Sequence, residues 1–341
     1  MRLKIAFIPG DGIGPKVVSL AREVVDEAAD LLGFGVEWVE APAGDRVKEE
    51  IGEPLPKESL QRILGADAIL KGPVGETAKD VIVYLRMRLD LYANLRPFRS
   101  FPGIRSKWEN IDLLIVRENT EDLYKGVEDV GQEHAVSLLV ITRKGAERIA
   151  RTALRLASKR RRKLTVVHKG NVLRSYRFFR DVAFEIAREF PDIEVEDMYV
   201  DNAAYQLITN PNRFDVMLTP NMFGDILSDE AAALIGSLGL TCSANIGDKY
   251  GLFEPVHGSA PDIDPEYANP LGQILTASMM LEWAAEKKSD ERLREASRLI
   301  NKAVDSLLRE GKTLTPDLGG KSRADEVKNE IMEFIRNYMA Q

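Results

Sequence analysis

Asp225 and Asp229 stand four residues apart in the stretch Asn221-Met222-Phe223-Gly224-Asp225-Ile226-Leu227-Ser228-Asp229, ahead of the apolar run from Ala231 to Leu240. On a helix, positions i and i+4 share a face, so both carboxylates can reach one hard divalent cation. Acids in a first helical turn can equally do no more than complement the helix dipole, and spacing alone leaves both readings open. Two features favour the metal. A third acid, Asp201, follows a strand candidate in Tyr199-Val200-Asp201-Asn202-Ala203, and all three acids have apolar flanks, where an unpaired carboxylate is costly.

Three arginines form a second constellation: Arg86 in Tyr84-Leu85-Arg86, Arg96 in Ala93-Asn94-Leu95-Arg96-Pro97, and Arg117 in Ile115-Val116-Arg117-Glu118-Asn119. Arg117 closes an apolar strand candidate, and the carboxyl ends of strands form the usual mouth of an α/β site. Guanidinium forks match carboxylates bidentately, so the set suggests a polycarboxylate ligand, although separate surface ion pairs are the commoner fate of any one arginine. Lys169 follows the strand candidate Leu164-Thr165-Val166-Val167-His168, and Tyr124 lies seven residues beyond Arg117. Both residue types titrate at about 10 or above unless burial or a neighbouring charge intervenes, so neither is diagnostic alone. His257, in Glu254-Pro255-Val256-His257-Gly258-Ser259-Ala260-Pro261-Asp262, occupies a Gly/Pro-rich loop that a ligand can approach closely, or a plain loop. With three histidines and no G-x-S-x-G elbow, a serine hydrolase has no support. Gly10-Asp11-Gly12-Ile13-Gly14 joins a strand to a helix but lacks the third glycine of the dinucleotide fingerprint; a tight turn with positive φ explains it equally well.

These residues need elements to position them. At 341 residues, the chain suggests two domains sharing a substantial core. Strand candidates fall at Ile5 to Ile8, Val36 to Val39, Ala68 to Leu70, Leu113 to Val116, Ser137 to Thr142, Leu164 to Val167, Val195 to Val200 and Phe214 to Thr219. Helical patterns run from Pro15 to a stop at Gly33, and around 57–64, 144–158, 175–190, 202–209 and 225–238. This alternation predicts an α/β fold with a largely parallel sheet. From about Arg292 to Tyr338 two amphipathic helical stretches read as packing, and the basic run Lys159 to Lys163 as a solvated helix end rather than a phosphate patch. The net charge of −7 argues against nucleic acid and acidic membranes. The single cysteine, Cys242, excludes an intrachain disulfide and fits a reducing compartment. Without a signal-peptide pattern or an apolar run of roughly 18 residues, the expected location is cytoplasmic.

Taken in order, six segments make the chain resemble the β-decarboxylating dehydrogenases, the family of isocitrate, homoisocitrate and 3-isopropylmalate dehydrogenases. They are Pro9 to Pro15, Leu91 to Pro97, Arg117 to Tyr124, His168 to Leu173, Asn221 to Asp229 and Glu254 to Asp262. The resemblance implies a two-domain α/β/α sandwich distinct from the Rossmann fold, with residues 1–98 plus 238–341 as the cofactor-side domain and 99–237 as the metal-side, dimerisation domain. It implies a homodimer, alone or within a tetramer, in which Lys169 and Asp201 complete the neighbour's site. Arg86, Arg96 and Arg117 would grip the malate moiety. Mg²⁺ or Mn²⁺ on Asp201, Asp225 and Asp229 would acidify the substrate hydroxyl for Lys169, and Tyr124 would protonate the enol left by decarboxylation.

The resemblance also assigns NAD to Ile13, Asn171, Glu254, His257, Gly258, Ser259, Ala260, Asp262, Ile263 and Asn269. Asp262-Ile263 stands where NADP-using relatives carry Lys-Tyr, and the segment Asp264 to Tyr267 departs from the family's usual spacer. The substituent at C3 would be read by Ile82 and Val83, whose apolar character is similar to 3-isopropylmalate enzymes. Tyr84 to Tyr92 is more similar to the homoisocitrate branch, which tends to carry Arg where Val83 stands. The expectation is homoisocitrate and 3-isopropylmalate ahead of isocitrate. A metal-dependent hydrolase or lyase without nicotinamide, and a non-catalytic carboxylate-binding protein, are the alternatives from other classes.

Overall fold

Apolar runs such as Ile5 to Ile8 and Leu113 to Val116 have no polar face, so they must be covered by helices on both sides. The computed structural model describes residues 2–339. Its strands are β1 (Arg2–Ile8), β2 (Gly35–Glu40), β3 (Ala68–Lys71), β4 (Ala93–Arg99), β5 (Asp112–Glu118), β6 (Glu128–Val130), β7 (Ala135–Ser137), β8 (Lys163–His168), β9 (Glu194–Tyr199), β10 (Val216–Thr219), β11 (Cys242–Ile246) and β12 (Gly251–Pro255). Ten of them form one sheet in the order β2-β1-β3-β12-β11-β4-β5-β10-β8-β9. Pairing is parallel on both flanks, as the alternation predicts. In the middle, β11 and β4 pair antiparallel with each other and with β12 and β5. This reversal matters for the site: Ala93 faces both Glu118 and Ile246, so the start of β4 and the ends of β5 and β11 share one edge.

The chain segments 1–98 with 238–341, and 99–237, are joined by this sheet, since β4 and β5 pair along their whole length. Neither β4 nor β11 has the look of a buried strand. Asn94, Arg96 and Pro97 interrupt the first, and Ser243 and Asn245 the second; Asn94, Arg96 and Asn245 spend their polar side chains on the site rather than the core. The helix Leu271–Lys288 also escapes a periodicity reading. It packs between β11–β12 and the helices Gly14–Leu32 and Glu291–Glu310, so it is apolar nearly all round.

Two expectations need correction. The span from Ser137 to Thr142 is not a strand; only the exposed ribbon β6–β7 forms, and Thr142 caps the helix Arg143–Ser158 by accepting the Gly145 N–H. A capping threonine has satisfied its role before a strand can include it. The helix expected over 225–238 is Asn221–Leu234, and it has no acid in its first turn. Asp225 and Asp229 therefore sit deeper in the helix, where dipole compensation does not explain them. The basic run behaves as a structural helix end: Arg160 pairs with Asp112 at 2.7 Å and with the buried Asp215 at 2.8 Å, and Lys159 with Glu286 at 2.9 Å. Among the described residues no helix is long and apolar enough to cross a membrane.

The loop after β1 is a tight turn. Gly10 has φ +76°, and a Cβ there would lie 2.0 Å from the Pro73 carbonyl oxygen; Gly12, at φ +57°, would meet Ser259 O at the same distance. Between them, Asp11 is a backbone staple. Its Oδ2 accepts N–H groups of Asp45 at 2.9 Å and Gly75 at 3.1 Å, and Oδ1 that of Arg46 at 3.2 Å. Asp11→Ala should strand three donors and cost about 3 kcal/mol or more in urea unfolding; an unchanged midpoint would show that the three loops hold without it.

Candidate active site

Arg117 emerges at the end of β5 with 1% of its surface exposed, and Arg96 on the neighbouring β4 is buried beside it. Desolvation is costly for such groups, and Arg86, Arg96 and Arg117 each hydrogen-bond two of their three guanidinium nitrogens to the described residues. Arg117 Nε donates to Asn221 Oδ1 at 2.9 Å, and Nη1 pairs with Asp225 Oδ1. Arg96 Nε donates to Asn94 Oδ1 at 2.7 Å and Nη1 to Ser228 Oγ at 2.6 Å, while Nη2 lies 3.6 Å from Asp225. Arg86, on the short helix Tyr84–Arg88, donates from Nε to Asn245 Oδ1 at 3.1 Å and from Nη2 to Glu254 Oε1 at 3.2 Å. Asn245 Oδ1 also accepts from Asn94 and Asn119, linking the arginines through amides that carry no charge.

Tyr124 reaches the same cleft and donates its hydroxyl to Asp225 Oδ2 at 2.9 Å. It stands in a 3₁₀ turn, Leu123–Lys125, that begins just after Asp122. Asp122 holds the left-handed φ of +67°, uncommon for a residue with a Cβ, and its carboxylate accepts the Met222 N–H at 2.9 Å and the Tyr176 hydroxyl at 2.9 Å. The turn is thereby tied to the start of the Asn221–Leu234 helix, which fixes Tyr124 against Asp225.

These contacts set the proton affinities. Burial alone would push the Asp225 carboxyl up, but Arg117 and Arg96 outweigh it and hold it below the ordinary range. Asp229, more weakly paired, is pushed up by burial. Burial, and then the Asp225 charge, raise the Tyr124 hydroxyl, so it stays protonated well past neutrality. Burial lowers both Arg96 and Arg117, as does the positive charge that they and Arg86 share.

Lys169 and Asp201 do not join this cluster. They pair with each other at 2.7 Å, and line an apolar hollow of about 430 Å³ with Leu173, Val200, Ala204 and Ile226. Of its lining, Leu173 and Ile226 are exposed at 44% and 60%, and the neighbouring Val172 at 67%. Among the described residues no three His, Cys, Asp or Glu side chains are grouped to hold a metal. Within one chain the carboxylates that could serve a hard cation are Asp225 and Asp229, one turn apart on the helix Asn221–Leu234. Two carboxylates one turn apart fit half of such a coordination sphere and leave room for oxygens supplied from outside the chain.

A second recess, of about 600 Å³, is lined by Ile13, His257, Gly258, Ala260, Ile263 and Asn269 together with Tyr267 and Asp317. The Ile13 N–H donates to Ser259 O at 3.0 Å, which bolts the two glycine-rich loops together. His257 Nε2 is buried without a partner, and burial lowers the imidazole's affinity for a proton. An apolar recess with a neutral, unpartnered ring nitrogen and an amide in its wall fits a nucleobase and ribose. Asp262 lies exposed in the same loop, Glu254 is buried beneath Arg86, and Asn171 lies in the exposed loop after Lys169. Ile82 is buried among Val81, Leu85 and Leu89, whereas Val83 is half-buried one turn before Arg86. Tyr267, Asn94, Asn245, Ser228 and Lys71 belong to these sites although their residue types alone do not single them out. For Lys71 the available signal was a cation ending the apolar strand Ala68-Ile69-Leu70.

The profile of the family described as isocitrate/isopropylmalate dehydrogenase matches residues 4–334. The 3-isopropylmalate dehydrogenase of Sulfurisphaera tokodaii is 48% identical over 334 residues, covering 97% of this chain and 98% of the relative. The isocitrate/homoisocitrate dehydrogenase of Thermus thermophilus is 44% identical, covering 99% and 100%. The crystal structure of isocitrate dehydrogenase from Methylococcus capsulatus superimposes with a TM-score of 0.90 at 42% identity, covering 98% and 99%.

Because Asp225 is the counter-charge shared by Arg96 and Arg117, Asp225→Asn should keep the fold but lower its stability in chelator by about 2 kcal/mol or more, as read by urea unfolding. Stability equal to the parent's would show that the guanidinium groups are compensated elsewhere.

Proposed function

The chain belongs to the isocitrate/isopropylmalate dehydrogenase family, and from that premise we propose that it oxidises and decarboxylates a 3-substituted malate with NAD, as a cytoplasmic homodimer. The observation that carries this is the convergence of Arg86, Arg96 and Arg117 on one cleft beside Asp225, Asp229 and Tyr124. Such a cluster favours a ligand with two or more carboxylates, because four cations, Lys71 included, meet three carboxylates, Asp225, Asp229 and Glu254.

In this reading the arginines bind and orient the two carboxylates of the malate moiety. Asp225 and Asp229, with Asp201 of the partner subunit, would hold Mg²⁺ or Mn²⁺, which supplies positive charge for the substrate hydroxyl and for the enolate oxygen formed later. Lys169 of the partner subunit takes the hydroxyl proton as C2 yields its hydride to the nicotinamide. The carboxylate on C3 then leaves as CO₂, and Tyr124 donates a proton to C3. The tyrosine suits that step because it is protonated and within hydrogen-bond reach of the Asp225 carboxylate. The exposed apolar surface around Lys169 and Asp201 supports a second copy covering it. The exposed carboxylate of Asp262 would favour NAD by repelling a 2′-phosphate.

For substrate choice, Val83 is the stronger candidate, since Ile82 is spent in the core. The chain enters this region through a π-helical turn, Lys79–Val83, whose start is anchored by Asp45 accepting the Thr77 N–H at 2.8 Å and hydroxyl at 2.7 Å. An aliphatic group one turn before Arg86 suits an alkyl substituent, and homoisocitrate and 3-isopropylmalate stand ahead of isocitrate.

The deciding assay follows nicotinamide reduction with all three acids, using NAD and NADP with Mn²⁺. A metal-dependent hydrolase or lyase, or a carboxylate-binding protein, would produce no reduced nicotinamide. Lys169→Met and Tyr124→Phe should each be inactive as homodimers, and mixing them should regenerate activity, because each mixed dimer retains one intact site; silence after subunit exchange would refute donation of Lys169 across the interface. Val83→Arg should lower kcat/KM for 3-isopropylmalate about 10- to 100-fold and leave homoisocitrate turnover equal or improved, since a cation facing an alkyl group lacks a partner. Unchanged selectivity would remove residue 83 from the pocket.

A further inference from the structure

Lys71 ends β3 with 1% of its surface exposed, a position where lysine is rare unless paired. Its ammonium donates to Glu254 Oε2 at 2.8 Å and to the Gly72 carbonyl at 3.0 Å. Glu254 lies on the adjacent β12, and its other oxygen, Oε1, accepts from Arg86 Nη2 at 3.2 Å and from Asn245 Nδ2 at 2.9 Å. Stability gives little reason for this arrangement, because a buried ion pair is commonly no better than apolar residues of the same size.

The division of the carboxylate has a consequence for Arg86. An arginine and a carboxylate left to themselves tend toward a two-pronged pair that uses both oxygens. Here Lys71 occupies the second oxygen, so Arg86 is held by Glu254 through one nitrogen and by Asn245 through Nε, while its Nη1 makes no hydrogen bond to the described residues. The charges point the same way: Lys71 and Arg86 bring two positive charges to one negative one. Burial pushes the Glu254 carboxyl up, but Lys71 and Arg86 together hold it at about 2, so it remains an anion throughout the working range.

We propose that Lys71 is a positioning residue that neutralises Glu254 and blocks its second oxygen, so that Arg86, held by Glu254 through one nitrogen only, keeps its charge and its free nitrogen for a substrate carboxylate. The inference rests on the substrate class proposed above. Lys71 would touch no substrate itself; it acts through Glu254 on Arg86. Without it, the guanidinium closes onto Glu254 as a neutral pair and withdraws charge from the cleft.

The test compares Lys71→Met with the double variant Lys71→Met/Glu254→Gln, using the best of the three acids for the parent enzyme and saturating nicotinamide. Lys71→Met should raise KM for the acid about 10- to 100-fold, the worth of one charge-assisted hydrogen bond, with kcat and the nicotinamide KM changing much less. The double variant should bring the acid KM back to within a few-fold of the parent, because glutamine keeps an oxygen for Arg86 without a charge to trap it. A lysine that only stabilises the fold would lower the melting temperature and leave KM in place, and that result overturns the proposal. So does a KM that rises equally for acid and nicotinamide, or one that Glu254→Gln does not recover. If Lys71→Met does not fold, the double variant decides alone: an acid KM near the parent's supports the role, and one raised tenfold or more overturns it. A parent inactive on all three acids would instead refute the assigned reaction, before any variant is read.

Discussion

Three guanidinium groups buried side by side repel one another, and most of this architecture can be understood as what permits Arg86, Arg96 and Arg117 to remain charged there. Each loses its water shell, so each must recover hydrogen bonds from the protein. The protein supplies them largely through neutral partners, Asn94, Asn221, Asn245 and Ser228, and keeps carboxylates to three against four cations: Asp225 between Arg96 and Arg117, Asp229 at 4.0 Å from Arg96, and Glu254 shared by Arg86 and Lys71. Neutral acceptors satisfy donors without cancelling charge. The cleft therefore retains a positive excess that an anionic ligand can complete, which is the electrostatic form of a site built before its ligand arrives.

The sheet reversal is the structural means to this end. In an all-parallel sheet the ends of β5 and β11 and the start of β4 would not share an edge. The antiparallel middle brings Arg117, Asn94 and Asn245 into register, with Asn94 opposite both Arg117 and Asn245. Loops at that edge then need rigid anchoring. Asp122, in a left-handed conformation, ties the Tyr124 turn to the helix that carries Asp225 and Asp229, and Asp11 and Asp45 do the same for the segment leading to Val83 and Arg86. In each case a carboxylate accepting backbone N–H groups does the positioning, which is stronger than a neutral cap.

In the proposed reaction the site is also incomplete in one chain. Lys169 and Asp201, both needed by the proposed chemistry, project at an apolar surface instead of into the cleft. A site divided between subunits, as proposed, would couple assembly to activity, since groups from a second copy arrive only when the apolar face is covered.

What the sequence determined by itself was local: strands with unbroken apolar runs, the helices with a clear apolar stripe, the glycine turn at Gly10 and Gly12, and the motifs carrying Arg86, Arg96, Arg117, Tyr124, Asp225 and Asp229. Periodicity and motif spacing report neighbours along the chain, so they suffice for these. Periodicity was silent for β4 and β11, whose polar residues are dictated by the cleft, and for the helix Leu271–Lys288, whose all-round burial erases any stripe. The helix start at Asn221 was misplaced because neither its Pro220 cap nor a first-turn acid announces it. Tertiary structure alone decided that Asn245 would join Arg86, Asn94 and Asn119, and that Lys71 would face Glu254 across 183 positions of sequence. It also set Lys169 with Asp201, away from the other acids. Such contacts depend on which strands become neighbours in the sheet, and that is settled by the packing of the whole chain.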